Sequence, residues 1–353
     1  MTFGADHGVL DRPRRGATPT SGPSMATAAA HTTAPSAMPV AARRARTMSI
    51  GILGLVAALA LAPEALTPAL AWTVLAIGLL IGLPHGAVDH LVPEWTLGRD
   101  LPRSTFAAIL GAYVALAAAA FGLLIVQPML AASAFVIVSI LHFGAGDVEF
   151  LDASRDLRPW QRSIAVLAFG LPPVALPIAV YAEQARPVLV GLAPELAVLT
   201  VPAARTTALL VTFGSVAVTM WAVGVQGRAR IAVDLAVLCV AFVLAPPLLA
   251  FAAYFGGWHA ARHIARLLAL DPRNVDELAA GRVGRPLLRF ARSALLPTVI
   301  SVIVLLGLWW GAGGVEGLVA AHLGLLVALT MPHVAIVSWL DGRRREARGK
   351  VIA

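Results

Sequence analysis

From about residue 48 onward the chain alternates long apolar runs with short polar connections. The runs cover about 48–63, 70–92, 104–127, 128–146, 161–182, 204–225, 230–245, 247–268, 292–311 and 316–340. Most reach the roughly 18 or more residues that a helix needs to cross a hydrocarbon core. They are too continuous for barrel strands, whose lipid-facing and lumen-facing residues alternate. The pattern predicts an all-α fold, a polytopic integral-membrane helical bundle with about ten transmembrane segments. The first and seventh runs are short for a bilayer, and 183–203 reads as a re-entrant or interfacial piece. Residues 1–47 are rich in Ala, Pro, Thr and Ser without apolar periodicity, which predicts a disordered tail. His7 and His31 in that tail are not expected to be ligands. The transmembrane domain spans 48–341, and 342–353 form a basic cytoplasmic tail. No linker divides the domain, and no internal repeat is visible.

Charge sharpens this picture. Only 13% of residues are charged and 59% are hydrophobic, against about 25% charged in soluble domains. The net charge of +8 belongs to topology rather than to nucleic acid, because of where the arginines fall. With the N-terminus inside, the connections predicted to be cytoplasmic hold Arg99 and Arg103, then Arg155, Arg158 and Arg162, then Arg228 and Arg230, then the run from Arg266 to Arg292. Arg343, Arg344 and Arg345 follow in the C-terminal tail, whereas the opposite connections hold little beyond Arg186 and Arg205. That asymmetry predicts a multi-pass protein of the cell (inner) membrane with both termini cytoplasmic. A lone cysteine, Cys239, excludes an internal disulfide, and a lone lysine, Lys350 in the tail, excludes a retinal Schiff base within the membrane.

Chemistry enters with the histidines. In Tyr254-Phe-Gly-Gly-Trp-His-Ala-Ala-Arg-His263, His259 and His263 are four residues apart. On a helix that offset is about 40° and about 6 Å of rise, so both imidazoles share a face. His85 in Gly82-Leu-Pro-His-Gly-Ala-Val-Asp-His90, His142 in Leu141-His-Phe-Gly, and His333 in Met331-Pro-His fall late in other segments predicted to run the same way. At about 1.5 Å per residue, each lies roughly 6–12 Å short of the inner end of its helix. A single intramembrane histidine is often a hydrogen-bonded packing residue. Five at one depth predict a metal or cofactor site near the cytoplasmic side, because polar groups in hydrocarbon are costly and usually functional. Imidazoles without thiolates leave iron, copper, zinc and nickel open.

Around them, Asp89 lies four residues after His85 and is expected to orient its ring. Asp147 and Glu149 read either as near-site carboxylates or as boundary charges paired with Arg262 or a loop arginine. His90, about 140° around the helix from His85, is not expected to share a metal, and His322 in the outer half of its span reads as structural. Phe143, Tyr254, Phe255, Trp258 and Trp339 sit at the histidine level, either as bundle packing or as lining for an extended apolar substrate. The glycines and prolines that flank the histidines, among them Gly82, Pro84, Gly144, Gly256, Gly257 and Pro332, are expected to allow close helix approach and kinks.

Taken together, Gly82-Leu-Pro-His-Gly-Ala-Val-Asp-His90, His142-Phe-Gly, Tyr254-Phe-x-x-Trp-His-x-x-Arg-His263 and Pro332-His333 resemble the Brp/Blh family of membrane β-carotene 15,15′-dioxygenases over roughly residues 50–340. The resemblance implies a non-haem Fe(2+) held by His85, His142, His259 and His263, with His333 near the site; Asp89, Asp147 and Arg262 are the further near-site candidates by position. It implies cleavage of the central double bond of β-carotene by O2 to two retinal molecules, within a lipid bilayer, and a functional link to a rhodopsin that uses retinal. Gly256-Gly257 and Ala260-Ala261 are smaller than the pattern leads one to expect. That leaves a different carotenoid or an apocarotenal as an alternative substrate.

Other classes predict other residues. A bis-histidine haem protein needs ligands on facing helices, which His259 and His263 on one turn do not supply. Membrane di-iron enzymes use adjacent histidine pairs, and none occurs here. A channel or transporter places ionisable groups through the whole membrane depth, whereas these cluster at one level. A non-catalytic carotenoid-binding protein shares every feature except turnover.

Overall fold

A computed structural model describes residues 38–62, 64, 66–152, 157–312 and 315–352 of the chain. His7, His31 and most of the predicted tail lie outside the described residues, as does the side chain of His322. Among the described residues the structure is helical throughout, with no strand. In chain order the α-helices are α1 (Val40–Leu59), α2 (Pro68–Gly82), α3 (Val92–Leu97), α4 (Arg103–Val126) and α5 (Pro128–Phe150). Next come α6 (Pro159–Gly170), α7 (Pro172–Val180), α8 (Ala182–Leu192), α9 (Pro202–Val225) and α10 (Ala229–Leu244). The last are α11 (Pro247–Ala253), α12 (Ala261–Leu270), α13 (Val275–Ala279), α14 (Gly284–Ala312) and α15 (Val315–Ile352). A π-helical stretch, Tyr254–Ala260, joins α11 to α12.

Proline sets most of the starts. It occupies the first helical turn of α2, α5, α6, α7, α9 and α11, where its missing N–H has no intrahelical partner to lose. At α2 the Thr67 hydroxyl also accepts from the Leu70 N–H at 3.2 Å, an N-cap bond.

Helices occupy all ten predicted stretches, but fewer qualify as spans. Among the described residues six are long and apolar enough to cross a membrane, or seven if α6 and α7, bent by 52° where they join, count as one. The remainder have physical reasons to fall short. Helix α1 starts at Val40, well before the expected boundary, and takes Arg43, Arg44 and Arg46 into its first turns. Helix α10 has 16 residues and buries Asp234. The stretch from α11 to α12 carries Arg262 and Arg266 beside its histidines. The piece at 183–203 is α8 followed by a 3-10 turn, Pro194–Thr200. Its Leu189, Leu192 and Leu196 pack with Ala132 of α5 and Val327 of α15.

Small residues bring the site-bearing elements together. A Cβ at Gly144 of α5 would lie 1.8 Å from the Val166 carbonyl oxygen, and one at Gly170 would lie 1.9 Å from that of Ile140, so α5 and α6 meet backbone to backbone. A Cβ at Gly256 would lie 2.7 Å from the Gly78 carbonyl oxygen, and one at Gly257 would meet Ile52 at 2.8 Å. The small residues of the Tyr254–His263 motif are therefore where α1 and α2 seat against the π-helical stretch. Outward, the fold is apolar. Helix α4 buries none of its residues, and Leu210, Trp221 and Leu296 are exposed on α9 and α14.

Gly144→Val should destabilise the bundle by at least the ~1–3 kcal/mol typical of overpacking, read as a lower thermal midpoint in detergent. Gly122→Val on α4, where nothing lies within 4 Å, should leave the midpoint unchanged.

Candidate metal centre and apolar cavity

Five imidazoles converge from five elements of the fold. His85 comes from the end of α2, His142 from α5, His259 from the π-helical stretch, His263 from α12 and His333 from α15. The His333 ring centre is 4.8 Å from His85, 4.9 Å from His142 and 5.2 Å from His263. His259 lies 5.1 Å from His85 and 5.0 Å from His142. The rings of His259 and His263 are nearly parallel, 9° apart with centres 6.5 Å distant, as the four-residue spacing predicts. All five are buried.

Local structure explains how each ring is aimed. Pro84 cannot donate to a helical ladder, and α2 gives way at Gly82 to a 3-10 turn, Leu83–His85. A second such turn, Asp89–Leu91, follows. Within the first, His85 Nδ1 donates to the Gly82 carbonyl. The expectation that Asp89 orients His85 assumed a regular helix through both residues and does not hold. Across the two turns Asp89 instead reaches His333, whose Nδ1 donates to Oδ2 at 2.8 Å, and it accepts from the Tyr113 hydroxyl at 3.1 Å. The π-helix at 254–260 is the rare wide winding that interrupts α-helices, frequently at functional sites.

The donor set suits a metal ion. One ligand atom from each of His85, His259 and His333 lies within 4.8 Å of the others, and the same holds for Asp89, His263 and His333. The Nε2 atoms of His142, His263 and His333 are buried without any hydrogen-bond partner. Such atoms cost about 1–3 kcal/mol each when left unsatisfied, a cost that a shared cation removes.

The cluster separates two unlike environments. On one side lies a cavity of about 540 Å³, within the size range of ligand sites. His85, His142, His259 and His333 form part of its wall; Phe106, Phe135, Phe143, Phe251 and Phe255 form much of the rest. On the other side a pocket of about 10 Å³, roughly the space of one water, is bounded by His142, His259, His263, Asp147, Arg262 and Arg266.

The arginines there are paired. Arg262 donates to Asp147 at 2.8 Å and also to Asp234, and Asp234 accepts from Arg46 Nε at 2.8 Å. Asp147 further accepts from the Trp258 indole N–H at 2.8 Å, and the Arg262 guanidinium lies 3.4 Å over that indole. Arg266 pairs with Asp341. Glu149 takes Arg162 and Arg345, each at 3.2 Å. For Asp147 and Glu149 the pairing of the boundary-charge reading is the observed one.

Of the five aromatic residues singled out from sequence, Phe143 and Phe255 line the cavity. Tyr254 and Trp258 are fully buried packing residues outside its wall. Tyr254 lies against Phe143, Phe242 and His259. Trp339 is partly exposed on α15 and is not in the wall either. His90 does line the cavity, edge-on to Phe106, and stays out of the imidazole cluster. Sequence reasoning passed over Tyr113, Asp234 and Asp341. Each is a polar group within or beside an apolar segment, which is the signal that marks such residues.

The comparisons with known proteins point the same way. The model of a family described as Beta-carotene 15,15′-dioxygenase matches residues 76–341. The chain is similar to the probable beta-carotene 15,15′-dioxygenase Blh of Halobacterium salinarum, 34% identical over 336 residues, which is 86% of this chain and 96% of that protein. It is also similar to the beta-carotene 15,15′-dioxygenase of an uncultured marine bacterium, 24% identical over 284 residues, 76% of this chain and 93% of that one. No solved structure matches the chain significantly.

Arg262→Met leaves two buried carboxylates short of a partner and should cost on the order of 3–5 kcal/mol. Arg343→Met, which removes an exposed pair with Glu346, should cost under about 1 kcal/mol. Thermal melts of the two purified variants give the comparison, and equal midpoints would deny the buried network its structural role.

Proposed function

The chain belongs to the beta-carotene 15,15′-dioxygenase family, and on that premise we propose that it cleaves the central 15,15′ double bond of β-carotene with O2. The bond breaks, one oxygen atom goes to each carbon, and two molecules of retinal result. The observation that carries the reading is the imidazole cluster set into the wall of a large apolar cavity.

The residues divide the work as follows. Histidines from the set His85, His142, His259 and His263 would hold Fe(2+), an ion that imidazoles suit. When bound, iron supplies the activation of O2. The phenylalanines and leucines of the cavity exclude water from the polyene and from the cluster, and they position one double bond beside the imidazoles. Nothing in the cavity wall offers a charged anchor apart from Asp89, which Tyr113 and His333 already engage. That suits a largely hydrocarbon polyene.

The substrate dissolves in lipid, and the outward face of the bundle suits a bilayer of the cell membrane better than water, which does not tolerate so much exposed apolar surface. The arginine distribution supports cytoplasmic termini. The cavity reaches that face between α4 and α14, where Leu110, Val114, Leu296 and Ile300 are at once cavity-lining and exposed. Entry of the carotenoid is thus sideways, through this cleft, and retinal leaving the same way remains in the membrane, within reach of a retinal-using protein such as a rhodopsin.

Expressed in a carotene-producing bacterial host, the chain should bleach the cells and accumulate retinal. Unchanged carotene with folded, iron-loaded protein would remove the assignment. His259→Ala or His263→Ala should lose both iron and retinal formation, assayed on purified protein. Val114→Trp combined with Leu296→Trp should slow retinal formation from vesicle-borne β-carotene several-fold at unchanged iron content, and an unchanged rate would take the cleft off the substrate's path.

A further inference from the structure

We propose that His333 is a metal-ligating residue, a fifth imidazole beyond the four that the sequence motifs imply, and that Asp89 is the positioning residue that sets which nitrogen it offers. The proposal rests on the reading of the cluster as a metal centre.

The geometry places His333 in the middle of the cluster rather than at its edge. Its ring lies within 5.2 Å of His85, His142 and His263. It also belongs to both groups of side chains whose ligand atoms lie within 4.8 Å of one another, whereas His142 belongs to neither. A structural histidine satisfies both ring nitrogens or leaves one to water. His333 does neither. Its Nδ1 is bonded to Asp89 Oδ2 at 2.8 Å and its Nε2 is buried without a partner.

The chemistry of the pair decides the role. A carboxylate only accepts, so the proton of a neutral His333 ring resides on Nδ1 and the lone pair on Nε2. A ligand imidazole almost always carries such a hydrogen bond on its other nitrogen, which fixes the tautomer and raises basicity. Asp89 is itself held. Tyr113 donates to the same Oδ2 at 3.1 Å, and a Cβ added at Gly86 would come within 3.5 Å of that oxygen and 3.3 Å of His333 Nδ1. The backbone at Gly86 therefore packs closely against the pair. Asp89 also brings one negative charge beside a cluster of otherwise neutral ligands, which favours a divalent cation.

The test uses purified full-length protein with metal content and the ligand-field spectrum of the cobalt(II)-substituted form as readouts. Wild-type protein should bind one equivalent of metal; if it binds none, the metal-centre reading itself fails. His333→Gly should bind metal at least about tenfold more weakly and with a changed cobalt spectrum, and added imidazole should restore both by filling the vacated space. His333→Gln, closer in volume, should show the same loss without rescue. Asp89→Asn should keep metal at about 10–100-fold lower affinity with shifted cobalt bands, a readout that a merely structural role does not move. Trp221→Phe, exposed on α9 and away from the cluster, should match wild type. Wild-type affinity and spectrum in His333→Gln would overturn the proposal while leaving the metal centre standing.

Discussion

The constraint on which the rest of this structure depends is the cost of holding imidazole nitrogens, lone pairs inward, where neither water nor protein donors reach them. Three of these nitrogens, on His142, His263 and His333, are buried and unpartnered. In an apolar bundle each is a standing penalty. The fold accepts it and surrounds it with groups that fix the rings from behind: the Gly82 carbonyl behind His85 and the Asp89 carboxylate behind His333. A site arranged in this way is built for something that arrives and binds the inward faces.

The charges around the cluster follow the same logic. Arg262 stands between Asp147 and Asp234, and Asp234 is shared with Arg46, so two positive and two negative groups from α1, α5, α10 and α12 close on themselves. Such a network is no great source of net stability, because desolvation offsets much of the attraction. Its consequence is geometric. It ties four helices together directly beneath His142, His259 and His263 and fixes the one polar face of the cluster. The opposite face is mostly apolar, and its one carboxylate, Asp89, is engaged by Tyr113 and His333. An apolar substrate therefore meets the imidazoles in a largely apolar cavity.

Much of this was legible in the chain. The apolar runs located the long helices of the described residues, and the four-residue spacing of His259 and His263 pointed to one face. The late positions of His85, His142 and His333 in apolar runs led one to expect a common level; that their rings meet is a matter of packing between helices, which the chain does not spell out. Part of what the chain did not disclose traces to broken helical geometry. Proline and glycine broke the regular geometry on which offsets were reckoned. Pro84 turned the stretch from His85 to Asp89 into successive 3-10 turns, so an assumed i, i+4 pair became a bond from Asp89 to a residue 244 positions away. Arginines inside α1 and α12, and the bend where α6 and α7 join, likewise kept several apolar stretches from being simple spans. Tyr254 and Trp258 looked like cavity residues because they flank His259, yet only the tertiary packing decides which side of a helix faces a void.

The most direct measurement is an iron titration. Metal-free purified protein, given β-carotene in vesicles and O2, is supplied with Fe(2+) in small steps while retinal is quantified. The account predicts no retinal at the start, a linear rise, and a plateau at one iron per chain. Retinal formed without iron, or a plateau unrelated to iron bound, would contradict it.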